Sequence, residues 1–366
     1  VKKVLILTAG FGEGHNSAAR GIRDGLLKCA GADVQVEVHD IFSDCYGFLN
    51  DWAQRLYLSL VDAAPHSWGT IYKWLDERQR FAGGLRVFYP AQITLRRFLE
   101  RFQPDLVVSV YPAYPHMIAD ILGANRAAPF KRVVVVTDSI TINAIWYRCS
   151  ADFFLLPNDA TAVVLRDAGV PAEKMRVFGF PVGLEFGANG APAAHRAGDA
   201  PLRLLYMVSS RNSASPELAR RLAAIPGIQL TVGTGKSARL HRLFESALAT
   251  SAAPFEIAGW TDDMPRMLHS HDVVISKAGG ATVQEAIAAQ RPLIISHIVP
   301  GQEQGNARLI AESGCGTVAL SDDEVVAAVE RALADGCKQW RAWAENVGRL
   351  SRPRAALDIA EFLLAL

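Results

Sequence analysis

The sequence predicts an α/β protein made of two doubly wound parallel sheets in tandem. Three observations point there. Short β-rich apolar runs alternate with segments at helical spacing along the chain, and the alternation stops once, at a Gly/Ala/Pro-rich stretch, before restarting. The length of 366 residues suits two domains of roughly 150 to 200 residues each.

The first unit opens on "KKVLILTAG", a strand that stops at glycine. "NSAARGIRDGLLKCA" follows at helical spacing, and "VQVEVHDIF" alternates like a second strand. Residues 45 to 100 differ, being helical in spacing and dense in aromatics, with Trp52, Tyr57, Trp68, Tyr72 and Trp74. Strand and helix patterns then resume through "PDLVVSVYP", "KRVVVVTD", "ADFFLLPND" and "KMRVFGFPV", so six or seven strands fit one sheet ending near Val182. Residues 184 to 200 lack periodicity and form the expected linker.

The second unit spans 201–345 and repeats the plan, with strand patterns at "LRLLYMVSS", "IQLTVGTG", "FEIAGW", "DVVISKAGG", "PLIISHIVPG" and "GTVAL". Residues 346–366 read as an amphipathic helix able to pack across the domain junction. Two such sheets place an expected interdomain cleft at their strand carboxyl ends, where ligands bind in this architecture.

Composition narrows the functional classes. Half the residues are apolar and the formal net charge is +1, which supplies a core and no general reason to bind nucleic acid. Five cysteines without a CxxC pair argue against a zinc cage or a disulfide framework and for reduced thiols in a cytosolic protein. The opening "VKKVLIL" reads as a strand rather than a signal sequence, and no apolar run reaches the ~18 residues of a membrane span.

Four loops after strands carry the candidate chemistry. In "TAGFGEGHNSAA", Gly10, Gly12 and Gly14 allow close backbone approach, and the helix start behind them favours negative charge. A dinucleotide fingerprint would need a third glycine where His15 or Ser17 stands, although Asp40 could mimic its ribose-binding acid. His15 suits a general base, with helix capping beside Asn16 as the alternative. In "VVVVTDSITINAIWY", Asp138 lies at a strand's carboxyl end, able to accept a proton, to orient His15 or to cap the following segment.

The third loop, "VVISKAGGATVQEA", is a small-residue turn suited to a diphosphate on backbone amides and the Thr282 hydroxyl. Glu285 lies within reach of a ribose there, or pairs with Thr282 in a capping box. The fourth, "HIVPGQEQGNARLI", gathers Gln302, Glu303, Gln304 and Asn306, a set suited to sugar hydroxyls or to solvent. Metal-ligand spacing and a GxSxG elbow are both missing from the sequence.

Taken together, "GFGEGHNSAA", "SWGTIY", "VVTD" with Trp146 eight residues after Asp138, "GWTDDMPRMLHSHDVVISKAGGATVQEA" and "PGQEQGN" resemble the monogalactosyldiacylglycerol synthases and processive diacylglycerol glucosyltransferases. The lipid II-forming N-acetylglucosaminyltransferase is a more distant relative. The resemblance runs from about residue 4 to about residue 345 and is most specific in "SKAGGATVQEA" and "PGQEQGN". It implies a GT-B fold of two Rossmann-like domains, and an inverting hexosyltransferase that takes a UDP-sugar and needs no essential metal. It places the uracil at Gly259, Trp260, Thr261 and Met264. The diphosphate falls at Ser276, Lys277, Ala278, Gly279, Gly280 and Thr282, the ribose at Glu285, and the sugar at Gln302 and Glu303. His15 and Asp138 become the candidate base and acceptor-activating residue, and Gly12, Gly14, Asn143 and Trp146 line the acceptor side.

The same resemblance makes 1–183 an acceptor-binding, membrane-facing domain. Its aromatic stretch, with Arg55, Lys73, Arg78 and Arg80, would meet an anionic lipid surface, or else pack as an ordinary helical insertion. The expected acceptor is a lipid, diacylglycerol first, and the expected location is cytoplasmic, peripheral on the inner face of the plasma membrane. The chain departs from the family twice: Asn143 stands where the family carries His, and Ser209 and Ser210 replace a Gly-Gly turn. These bear on acceptor identity and on donor affinity. A UDP-sugar transferase with another acceptor, a UDP-sugar epimerase or hydrolase, and a non-catalytic binding protein are the competing readings.

Overall fold

The computed structural model describes residues 1–10, 13–47, 89–123, 128–188, 200–208, 214–249, 251, 254–299, 301 and 303–366. The aromatic run from Trp52 to Trp74 with its basic residues, Gly12, the Ser209–Ser210 departure and Gln302 lie outside them.

The chain divides into two compact units, the first comprising Val1–Leu184, Pro300–Gln302 and Arg352–Leu366, the second Glu185–Val299 and Glu303–Ser351. The first holds a six-stranded sheet of β1 (Lys2–Leu7), β2 (Val34–His39), β3 (Leu106–Ser109), β4 (Lys131–Val135), β5 (Phe153–Leu156) and β6 (Met175–Val177), in the order β2-β1-β3-β4-β5-β6. Every pairing is parallel, with Val4 opposite Val36 on one side and Leu106 on the other. Val4, Leu5, Ile6 and Leu7 are wholly buried, which is why these strands read as continuous apolar runs: helices cover both faces.

The second unit repeats the design with β7 (Leu202–Met207), β8 (Ile228–Gly233), β9 (Phe255–Ala258), β10 (Val273–Lys277), β11 (Leu293–His297) and β12 (Gly316–Val318), in the order β12-β11-β10-β7-β8-β9. All five of its pairings are parallel. Strand order reverses beside the first strand of each sheet, between β1 and β3 and between β7 and β10. Loops leaving the carboxyl ends of those strands therefore flank the crevice in which open α/β sheets bind ligands.

Of the expected linker, Glu185–Ala188 form a short helix and 189–199 lie outside the described residues. The C-terminal segment divides at Ser351. The long helix Asp322–Leu350 starts from a capping box of Ser321 and Glu324 and breaks at Ala334–Cys337, and it belongs to the second unit. The last helix, Ala355–Ala365, belongs to the first and lies along the helix Glu13–Ala30 so closely that a Cβ on Gly25 would stand 2.5 Å from the Ala356 carbonyl oxygen. Lys2 Nζ adds a hydrogen bond to the Leu364 carbonyl at 2.8 Å. The helix so clamped is the one that carries His15 near its start.

Candidate functional site

In the first unit the helix Glu13–Ala30 is the first after β1, and His15 is its third residue and Gly14 its second. The loop is held from below: Gly10 N–H donates to Asp40 Oδ2 at 2.9 Å, and Thr8 Oγ1 to Asn16 Oδ1 at 2.9 Å. Asp40 also accepts from Phe42 N–H, Ser43 N–H and Ser43 Oγ, as the cap of the helix Ile41–Tyr46. Four donors fill its carboxylate, and this excludes it as the ribose acid of a dinucleotide site.

His15 does not cap the helix. Its ring is 7% exposed, with Nδ1 lying 2.8 Å from the Val110 carbonyl oxygen and 3.0 Å from Thr137 Oγ1. A carbonyl oxygen can only accept, so Nδ1 carries the proton and neutral His15 keeps its lone pair on Nε2. No described residue hydrogen-bonds to Nε2. Burial lowers the pKa of His15, and the nearby Asp138 carboxylate and the Val110 carbonyl partly offset this. Burial thus favours the neutral imidazole, with its lone pair on Nε2.

Asp138 takes a different partner. Trp146 Nε1 donates to its Oδ2 at 2.8 Å, and burial raises its pKa against the opposing effects of His15 and that indole. It caps no helix. The cap of the turn Ala144–Trp146 is Asn143, whose Oδ1 accepts from Ile145 N–H at 3.0 Å, while His116 Nε2 donates to the Ile145 carbonyl at 2.9 Å. This turn seats the buried Trp146 ring 6.1 Å from His15, and Tyr111 packs edge-on to His15 at 5.2 Å. Gly14, His15, Asp138, Asn143 and Trp146 thus come together at one sheet end. Sequence reasoning missed Val110, Tyr111 and His116, and gave Thr137 no role. The one available signal was that "VYP", like "VVTD", follows a strand.

In the second unit, β10 ends at Lys277 and the helix Gly280–Ala288 begins after two intervening residues. Its cap is Gly279, which has no side chain to bond the first-turn amides, so Thr282 lies inside the helix and cannot form a capping box with Glu285. Glu285 stands in the second turn rather than the first. Unfilled amide donors at a helix N-terminus form a local anion site.

Glu303 is 6% exposed and ties this loop to its neighbour: Oε1 lies 2.7 Å from Lys277 Nζ, and Oε2 accepts from Val299 N–H at 3.0 Å. Ser276 Oγ donates to the Lys277 carbonyl at 3.0 Å. Ala278 is buried, and its carbonyl accepts from Asn306 Nδ2 at 3.0 Å. The Gly259–Met264 stretch follows β9, three strands along the same edge, or roughly 14 Å at the usual spacing. There Trp260 is exposed, donating to Asp262 and lying under Lys236 Nζ, while Thr261 Oγ1 accepts from Asp263 N–H ahead of the helix that Met264 begins. Among the described residues no group of three or more His, Cys, Asp or Glu is placed to hold a metal ion.

Two parallel sheets of this order, with these loops at their carboxyl ends, define the GT-B fold. Residues 15–182 match the monogalactosyldiacylglycerol (MGDG) synthase family, and residues 209–349 match the glycosyltransferase family 28 C-terminal domain. The chain carries both of these domains, one in each unit, and is a glycosyltransferase. It is 26% identical to monogalactosyldiacylglycerol synthase 3, chloroplastic, of Arabidopsis thaliana, over 99% of this chain and 80% of the relative. It is also 26% identical to the processive diacylglycerol beta-glucosyltransferase of Bacillus mycoides, over 99% of this chain and 93% of the relative. Among solved structures, MurG of Acinetobacter baumannii superposes with a TM-score of 0.69 at 15% identity, over the whole of both chains. The class is thereby a glycosyltransferase.

Proposed function

We propose that the chain moves a hexose from a UDP-sugar to a lipid hydroxyl, diacylglycerol foremost, with inversion at the anomeric carbon and no essential metal. The observation that carries this reading is the uncapped, glycine-edged N-terminus of the helix Gly280–Ala288 beside the strand-order reversal, a seat for the leaving diphosphate. The acceptor's O–H bond breaks, its proton passes to His15 Nε2, and its electron pair forms the bond to the anomeric carbon. UDP leaves with the electrons of the old bond, and the charge that develops on it is met by the amides at Gly280 and after. Asp138 supplies the negative charge that stabilises the imidazolium. The two relatives, named for diacylglycerol glycolipid synthesis, support a lipid acceptor.

No helix among the described residues is long and apolar enough to cross a membrane. The lipid acceptor is what leads this reading to place the enzyme in the cytoplasm, peripheral on the inner face of the plasma membrane, at an anionic lipid surface. Gln302 and Glu303 are the proposed sugar contacts. The Glu303 carboxylate is held by Lys277 Nζ and Val299 N–H, which fixes its position for that contact.

Mass spectrometry of lipid products, from UDP-glucose, UDP-galactose and UDP-N-acetylglucosamine with diacylglycerol vesicles and a chelator present, is expected to show one glycolipid. UDP release with no lipid product would reject the acceptor. Glu285→Ala is expected to weaken UDP binding about ten-fold by calorimetry, the worth of a hydrogen bond to a charged group. Unchanged affinity would remove Glu285 from the ribose site.

A further inference from the structure

We infer that Thr137 is a positioning residue for the base: its hydroxyl and the Val110 carbonyl together hold His15 Nδ1, so that Nε2 takes the proton. The inference rests on His15 being the base. Three neighbouring strands converge to make this hold, since His15 follows β1, Val110 follows β3 and Thr137 follows β4, which are adjacent in the sheet. Thr137 is 3% exposed, and its Oγ1 makes no other hydrogen bond among the described residues. Because the Val110 carbonyl keeps the proton on Nδ1, the Thr137 hydroxyl meets the imidazole as an acceptor, its lone pair facing that N–H.

In the Ser-His-Asp arrangement a carboxylate orients the imidazole and stabilises its charged form directly. Here the adjacent carboxylate, Asp138, is bonded to Trp146 instead, and contributes its charge without setting the ring's tautomer. The groups facing the ring from neighbouring elements are Asp138 and the edge of Tyr111. On its own helix, Glu13 is exposed and paired with Arg20. Neutral orienters leave a weaker base that stays unprotonated to lower pH. Both protonation states donate from Nδ1, the charged state more strongly. Removing the Thr137 oxygen should therefore lower the pKa of His15 as well as loosen the ring.

The test uses the full chain labelled with ¹⁵N at histidine. Neutral His15, assigned by the signal lost in His15→Gln, is expected to show its proton on Nδ1; a proton on Nε2 overturns the inference. Thr137→Val is expected to lower kcat by about ten-fold, part of what a positioned base contributes, with KM for the UDP-sugar unchanged and the acid limb of the pH profile moved to lower pH. Thr137→Ser is expected to restore both. Wild-type kcat and acid limb in Thr137→Val, or failure of Thr137→Ser to recover them, overturns it. The reading beneath it fails differently, through retained turnover in His15→Ala, which leaves the tautomer measurement untouched.

Discussion

His15→Ala is expected to lower turnover by about a hundred-fold or more, the range a positioned general base supplies, while UDP affinity stays within about two-fold of wild type. The split follows from where the groups lie: His15 stands at the end of the first sheet, and the proposed diphosphate and ribose groups belong to the second unit. The active form is the neutral imidazole. Burial lowers the pKa of His15, so activity should persist as pH falls past the ordinary histidine value of about 6.5 and disappear only below it. Asp138→Asn removes a charge that raises that pKa, and should carry the acid limb lower still. It should also reduce turnover, because the base weakens and the imidazolium loses its counter-charge. Steady-state kinetics across pH, set beside calorimetry with UDP, check all of this. Turnover in His15→Ala within a few-fold of wild type would show that another group is the base.

Gly21→Val is expected to destabilise the chain by about 3 kcal/mol or more, at the upper end of overpacking costs. A Cβ on Gly21 would stand 2.1 Å from the Pro181 carbonyl oxygen and 2.8 Å from that of Val182. These are backbone atoms, so no side-chain rotation relieves the clash. The helix Glu13–Ala30 would have to move away from the end of the sheet, and four residues on, Gly25 has the same close approach to the C-terminal helix. Leu27→Ala, on the same helix at a position 45% exposed, is the control and should change stability by no more than about 0.5 kcal/mol. Chemical denaturation measures both. A wild-type midpoint in Gly21→Val would mean that the helix is not packed as described. A surviving fraction of the valine variant should also lose turnover, because the displaced helix carries His15 away from Val110 and Thr137.

Most of the fold was legible because its signals are local. An apolar run ending at glycine, followed by small residues at helical spacing, reads as strand, loop and helix whatever surrounds it, and each candidate loop does follow a strand. The loops' internal chemistry was less legible. Spacing alone made Thr282 and Glu285 a capping box, whereas the helix begins at Gly280 and leaves its first amides uncapped. Spacing likewise made Asp40 a possible ribose acid, whereas three backbone amides and a hydroxyl already occupy it. Local pattern shows which groups are present at a strand's end but not which of them are spent on one another.

By itself, then, the sequence determined two parallel α/β units, the loops at their carboxyl edges, and a family resemblance strong enough to name a glycosyltransferase. Only the tertiary structure decided what holds the histidine. Val110 and Thr137 lie 95 and 122 residues from His15 along the chain, and they meet its ring because the sheet order sets β1, β3 and β4 side by side. The proton's place on Nδ1 follows from that order, since a carbonyl oxygen can only accept and the lone pair must then face the other way.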